Sequence, residues 1–394
     1  MIYLDNNATT LLSASVAERM RELMSMRLAN ASSQHAAGRQ ARQVVETARE
    51  SILRNCGAVV RGMSSDQLVF TSGGTESNNL AVFGLSEGRA GAIVVSSIEH
   101  PSVLSAAEAA RIQGRTVIQL PCESDGVVFL KRLSELLAEH RNGKPIAMVS
   151  LMLANNETGV IQPVAEAAAM CRAAGVLIHT DAVQVLGKAE LSFSQLGVDA
   201  MTITAHKLHG PVGIGGLILR NGVTLVPQSF GGFQQLGLRP GTEMPVLSGG
   251  FERAVEEAAT NLSPRAFSMQ QMRNRLEQSI LDSFPAACVI GKDSLRLPHT
   301  LSVSFPGADR QALQLGLDMA GIACGTGSAC ASGSSQPSHV LEAMQLDSQI
   351  VKGAIRFSLS FETTASDVDS ALTALKEILP RLCRSEVPML QRNR

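Results

Sequence analysis

The sequence predicts an α/β fold: a mostly parallel sheet of seven strands between helices, followed by a smaller α+β unit. Three observations predict it. Between residues 66 and 220, short β-branched apolar runs alternate with Ala-rich helical stretches. The runs are apolar at nearly every position, as strands buried on both faces are. After residue 250 the alternation stops, and longer helical stretches surround only two short strands.

The strands are expected at Gln67–Phe70, Ala92–Ser96, Thr116–Gln119, Ala147–Leu151, Leu177–His179, Ala200–Thr204 and Gly216–Leu219. Helices are expected between them at Glu76–Phe83, Ser102–Gln113, Phe129–Arg141 and Val164–Ala174. Residues 14–55 read as helical with polar faces, interrupted by Asn30-Ala31-Ser32-Ser33-Gln34-His35. One long helix is expected over about 248–282, then strands near Thr300–Ser304 and Ile355–Ser360. A parallel sheet covered by helices collects its chemistry at the carboxyl ends of its strands.

Composition excludes several classes. The 394 residues carry 34 Lys+Arg against 35 Asp+Glu, which rules out a broadly basic nucleic-acid coat. No Trp, one Tyr and 12 Phe are too few for base-stacking platforms. No apolar run approaches the length of a membrane-spanning helix, and Met1-Ile2-Tyr3-Leu4-Asp5 lacks the flank and core of a signal peptide. Seven cysteines without CxxC spacing suggest neither a disulfide framework nor a zinc site. A cytoplasmic globular protein without direct nucleic-acid or membrane binding is expected, with no metal site.

Three segments that follow strands carry chemistry. Thr71-Ser72-Gly73-Gly74-Thr75-Glu76-Ser77 opens a helix, and its glycines let backbone amides approach an anion; an ordinary N-cap and turn has the same pattern. Asp181, in Ile178-His179-Thr180-Asp181, can pair with a cation at the sheet's edge or simply cap the next helix. Lys207, in Thr204-Ala205-His206-Lys207, can be a Schiff-base amine or a solvated loop lysine. With His100 and Asn155-Asn156-Glu157-Thr158-Gly159 between them, the order supplies what pyridoxal phosphate needs: a phosphate cup, a stacking ring, an acid and an amine.

The chain also resembles a known family. Tyr3-Leu4-Asp5-Asn6-Asn7-Ala8-Thr9-Thr10, Thr71 through Asn79, Ala154 through Gly159, Ala205-His206-Lys207 and Gly327-Ser328-Ala329-Cys330 are similar, in order, to the blocks of the cysteine desulfurases. These are class V aminotransferase-fold enzymes. The resemblance implies fold type I, pyridoxal 5'-phosphate as cofactor, a homodimer, and conversion of L-cysteine to L-alanine. Sulfur would be left as a persulfide on an enzyme cysteine and passed to an acceptor protein of iron–sulfur cluster assembly or of cofactor or tRNA thiolation. It also implies a large domain over 14–258, and a small one of 1–13 and 259–394 carrying a loop of about 321–337.

Carried over residue by residue, the resemblance makes Lys207 the covalent holder of the cofactor and the base for the substrate's Cα proton. Asp181 would face the pyridine nitrogen, and His100 would stack on the ring and assist proton transfers. Asn155 and Gln184 would flank the ring's phenolic oxygen. Gly74, Thr75, Thr204 and His206 would hold the phosphate, with Thr242 supplied by the partner subunit. Asn7, Asn155 and Arg356 would bind the substrate, Arg356 taking its carboxylate as a bidentate guanidinium can. From the strand pattern alone, Arg356 could equally be a surface residue. Cys330 would accept sulfur, since its small-residue loop lets a thiol travel; Cys324 reads as a packed structural cysteine.

Four segments depart from the family's usual pattern: Gly231-Gly232-Phe233-Gln234-Gln235 where a third Gly and a Glu are common, Pro240 for Ser, Asn30-Ala31-Ser32 without a Pro, and Ser360-Phe361 for Gly-Arg. None removes a catalytic group. The alternatives are a selenocysteine lyase or another class V enzyme, or a non-catalytic scaffold on the same fold. Cys330 argues against an aminotransferase, which needs no thiol there. Lys207, Asp181 and Cys330 together argue against the scaffold.

Overall fold

The computed structural model describes residues 1–62, 64–327 and 336–382, so Cys330 lies outside the described residues. Its strands are β1 (Ile2–Tyr3), β2 (Gln67–Thr71), β3 (Ala92–Ser96), β4 (Val117–Leu120), β5 (Ile146–Ser150), β6 (Leu177–Asp181), β7 (Ala200–Thr204), β8 (Gly215–Leu219), β9 (Cys288–Val289), β10 (Thr300–Ser304), β11 (Ile322–Ala323) and β12 (Ala354–Ser358).

Seven of these form the main sheet in the order β2-β8-β7-β6-β5-β3-β4. β4, β3, β5, β6 and β7 pair in parallel, while β8 runs antiparallel to both β7 and β2. β2 therefore points the same way as β7, and all strands except β8 end on one edge. Alternate residues of β3 show the burial of both faces. Ile93 and Val95 pack with Leu80, Leu85 and Val103 on one side. Val94 packs with Val45, Ile52 and Val149 on the other.

The remaining strands form two small sheets. β10 sits between β12 and β9, antiparallel to both. The N-terminal β1 pairs in parallel with β11, and the Asn6 amide donates to the Ser358 carbonyl at 3.2 Å. The first residues of the chain thus pack with its last third, in a core of Leu4, Leu276, Leu301, Phe357 and Leu375. Ile290, Leu297, Val340, Leu341, Met344, Val351 and Ala354 contribute instead to the core of the main sheet. Among the described residues, no helix is long and apolar enough to cross a membrane.

The single helix expected over 248–282 is two helices, Pro245–Thr260 and Leu262–Ser283. Asn261 breaks them apart with φ −114° and ψ 19°. Pro264 gives the reason. It has no N–H for the Thr260 carbonyl, and its ring would strike that carbonyl in a continuous helix, so it sits in the first turn of a new one.

Candidate active site

The strand ends converge on one cavity of about 230 Å³. Its wall includes Asn7, Gly74, Thr75, His100, Asp181, Gln184, Thr204, His206, Lys207 and Arg356, ten of the positions singled out from the sequence. Arg356 comes from the middle of β12, Asn7 from the N-terminal segment, and the others from segments at or following strand ends of the main sheet. Asp181 closes β6, and Lys207 ends the 3-10 turn Ala205–Lys207 directly after β7. Gly74 and Thr75 open the helix Gly74–Ser86 after β2.

That helix start is built for an anion. Gly73, with φ +156°, precedes it and offers no side-chain cap, so the first amides are left for a ligand. Gly74 is closely packed: a Cβ there would stand 3.2 Å from Val183 Cγ2, which would have to give by a few tenths of an ångström.

Asp181 is held by two donors. The Val183 amide donates to Oδ1 at 2.9 Å, and Asn78 Nδ2 donates to Oδ2 at 2.7 Å. Asn78 Nδ2 also reaches Ser102 Oγ at 2.8 Å. The Ser102 hydroxyl lies 2.7 Å from His100 Nδ1, and the Ser102 amide donates to the same nitrogen at 3.1 Å. Nδ1 is therefore an acceptor, and the proton of the neutral ring sits on Nε2. Burial pushes the His100 imidazole below its ordinary pKa, helped by Lys207 and His339 and opposed by Asp181. Asn78 thus joins the acid to the imidazole. Its position, one helical turn after Gly74 and so on the same helix face, was the available sequence signal.

Lys207 Nζ donates to the carbonyls of Asn7 at 2.5 Å and Ala8 at 2.6 Å. Gln184 Nε2 donates to the same Asn7 carbonyl at 3.1 Å, and its Oε1 accepts from the buried Lys188 at 3.2 Å. His206 Nδ1 lies 3.2 Å from Thr9 Oγ1, and burial with Lys207 and Lys188 nearby lowers its pKa to about 4. Arg356 is 2 % exposed. Its Nη2 donates to Asp5 Oδ1 at 2.7 Å, and its Nη1 to the carbonyls of Asn156 at 2.9 Å and Gly327 at 3.2 Å.

Two positions stand apart from the cavity wall. Asn155 is fully buried: Nδ2 donates to the Ile98 carbonyl at 3.0 Å, and Oδ1 accepts the amides of Glu157 and Thr158 at 2.9 and 3.0 Å. It shapes the turn that presents Asn156 and Glu157 to the cavity. Thr242 is exposed on the single chain.

The donor set fits pyridoxal phosphate. A helix N-terminus with Thr75, Thr204 and His206 nearby suits a phosphate, and a fixed carboxylate suits a pyridine nitrogen. A neutral imidazole and a lysine complete the wall. Among the described residues, no group of His, Cys, Asp and Glu could hold a metal ion.

A family model for aminotransferase class-V matches residues 2–371. A cysteine desulfurase of Bradyrhizobium diazoefficiens is 41% identical over 385 residues, covering 97% of this chain and 95% of that protein. The structure of a NifS-like protein from Rickettsia africae superposes with TM-score 0.87 at 32% identity, covering 96% of this chain and 99% of that one. A structure described as SspA in complex with cysteine gives TM-score 0.79 at 29% identity, covering 92% and 100%. The chain belongs to the class V aminotransferase family and has its fold-type I architecture. Within that family it is a cysteine desulfurase.

Proposed function

We propose that the cavity binds pyridoxal phosphate and L-cysteine, and that sulfur leaves the substrate on Cys330 with L-alanine as the other product. The observation that carries this reading is the placement of Asp181, His100, Lys207, Arg356 and the start of helix Gly74–Ser86 around one cavity. When bound, the cofactor supplies an attachment for the substrate amine and a sink for the electron pair left at Cα.

The chain's own groups do the rest. The Gly74 amide and Thr75, with Thr204 and His206, would hold the phosphate. Asp181, fixed by Asn78 and Val183, would favour a proton on the pyridine nitrogen. His100, whose Nδ1 accepts the Ser102 amide, would present its Nε2 proton on the cavity side where the cofactor ring would bind. Lys207 Nζ leaves the Asn7 and Ala8 carbonyls to take the substrate's Cα proton. Arg356 takes the substrate carboxylate, with Asn7 beside it. The Cys330 thiolate attacks the substrate sulfur: an S–S bond forms, the Cβ–S bond breaks, and Cβ keeps the pair and gains a proton. Thiol plus cysteine becomes persulfide plus alanine, so no external oxidant or reductant enters.

Thr242 completes the phosphate site of a second copy in a homodimer, and a sulfur-acceptor protein then relieves Cys330. SspA in complex with cysteine supports L-cysteine as substrate. The test is borohydride reduction of the purified holoenzyme followed by peptide mapping. The cofactor's mass is expected on the peptide containing Lys207; its appearance on another lysine, or on none, would overturn the reading.

A further inference from the structure

Glu157 is a buried carboxyl group that the chemistry above does not use. It lines the cavity and is 2 % exposed. Its backbone is pinned by Asn155 Oδ1, so the side chain has a fixed origin. Two segments distant in sequence meet this carboxyl. The Ser338 hydroxyl donates to Oε2 at 2.5 Å. Gly327, with φ +96°, backs onto the same oxygen so closely that a Cβ would stand 2.5 Å from it. Only glycine meets both demands at 327, the left-handed backbone and the close approach.

The surroundings reinforce the junction. The Gly327 carbonyl accepts from Arg356, and Arg310 Nη2 donates to the Gln336 carbonyl. Ser338 caps the helix His339–Ala343, its Oγ accepting the Leu341 amide at 3.2 Å. Burial raises the Glu157 pKa against the pull of Ser338, His339, Arg356 and Arg310. Residues 328–335, which include Cys330, are covalently tied to Gly327 on one side and Gln336 on the other. Gly327 directly, and Gln336 through Ser338 two residues on, are therefore tied to one carboxyl group on the cavity wall.

We propose that Glu157 is a positioning residue for sulfur transfer. It holds the two ends of the Cys330-bearing segment at the cavity and thereby sets where the thiol can reach. This rests on the reading that Cys330 accepts sulfur. A carboxyl group that only filled space or propped Arg356 would affect substrate binding and sulfur transfer together.

The two roles separate in one experiment on the holoenzyme. Single-turnover persulfide formation is followed with labelled L-cysteine by mass mapping of the Cys330 peptide. In parallel, L-alanine, which presents the same carboxylate to Arg356 without any sulfur, is titrated by the cofactor's absorbance. Glu157→Ala is expected to slow persulfide formation about tenfold or more, because small misplacements of a reacting group cost that much. The L-alanine Kd should stay within about twofold. Glu157→Gln, which keeps an acceptor for Ser338, should recover most of the rate, and Ser338→Ala should slow transfer without burying a new group. Wild-type transfer in Glu157→Ala, or an equal loss of L-alanine affinity, would overturn the proposal. Wild-type enzyme carrying label on a cysteine other than Cys330 would overturn the Cys330 assignment itself, and this proposal with it.

Discussion

Asn78 Nδ2 bridges Asp181 Oδ2 at 2.7 Å and Ser102 Oγ at 2.8 Å, so one carboxamide connects the acid of the cavity to the serine that orients His100. Neutralising the acid should therefore separate binding from chemistry. Asp181→Asn keeps a side chain of the same shape for the Val183 amide but cannot stabilise a protonated pyridine nitrogen. The variant is expected to retain cofactor absorbance and lose about a hundredfold or more in alanine production, the scale seen when preorganised electrostatic support is removed. Asn78→Ala, which leaves the charge and removes one orienting bond, should lose less. Near-normal turnover in Asp181→Asn would contradict the role given to the acid.

Much of this arrangement is readable in the sequence, because the strands are apolar runs and the reactive residues follow them directly. What it does not show is direction. The run Gly215–Leu219 is as apolar as its neighbours, yet β8 is antiparallel; the ten residues after Thr204 are too few for a parallel crossover. The sequence also leaves long-range partners unseen. Asp5 and Arg356 are 351 positions apart and meet at 2.7 Å because β1 joins β11 in the last third of the chain. Asn155 accepts the Glu157 and Thr158 amides and so shapes its own turn, a role that motif spacing alone does not reveal.

Glu99, next to His100, predicts a pH dependence of stability. Its side chain is buried; Oε1 accepts Ser96 Oγ at 3.0 Å and the Met152 amide at 2.6 Å. Burial, with Asp181 nearby, raises its pKa to about 8. The unfolded chain releases this proton near pH 4.5 and the folded chain near 8, so the contribution is full below 4.5 and is lost as pH rises through 8. Glu99→Gln carries no such proton. Its melting temperature relative to wild type should climb between about pH 5 and 8, then level off. A constant difference across that range in scanning calorimetry would sink the argument.

Gln235 stands at one of the positions that depart from the family pattern. Its Oε1 accepts from Arg49 Nη1 at 2.9 Å and from the Phe70 amide at 3.0 Å, which fixes the amide's orientation. Nε2 then faces Glu243 Oε1 at 2.5 Å. Gln235→Glu would replace that donor with a second carboxylate. A loss of about 1–3 kcal/mol is expected from the broken hydrogen bond and the like charges. Urea midpoints at pH 7 and 5 check it: the penalty should shrink at the lower pH, and an unchanged midpoint at both would refute it.

Thr242 is exposed on the single chain, and within the preceding twelve residues of sequence Phe230, Phe233 and Leu236 are 90, 96 and 71 % exposed. If a second copy covers this loop and receives Thr242, subunits with different defects should complement. Mixing inactive Lys207→Ala protein with damaged Thr242→Ala protein should restore part of the activity, since one site in each mixed dimer has both groups intact. No recovery after exchange, or a fully active monomer in sedimentation, would remove Thr242 from the site.

The cysteines give the sharpest contrast. Cys324 is 5 % exposed, and burial pushes its thiol up to about 12, with Asp5 adding to the shift. Cys56 and Cys171 are buried, and their thiols are likewise pushed up to about 12. A thiolate is the nucleophile, and an ordinary thiol near pKa ~8.5 outcompetes these three at neutral pH. Cys122 and Cys288 are half-buried and also raised by burial. Cys330→Ser is therefore expected to bind cofactor and L-cysteine but form no persulfide and little alanine. Cys324→Ser should remain largely active, losing only the packing of one sulfur. Incubation with labelled L-cysteine, alkylation and mass mapping test both variants together. Label on Cys324 with Cys330 unmodified would end the assignment, because a thiol held near pKa 12 by burial could then not be the inert one.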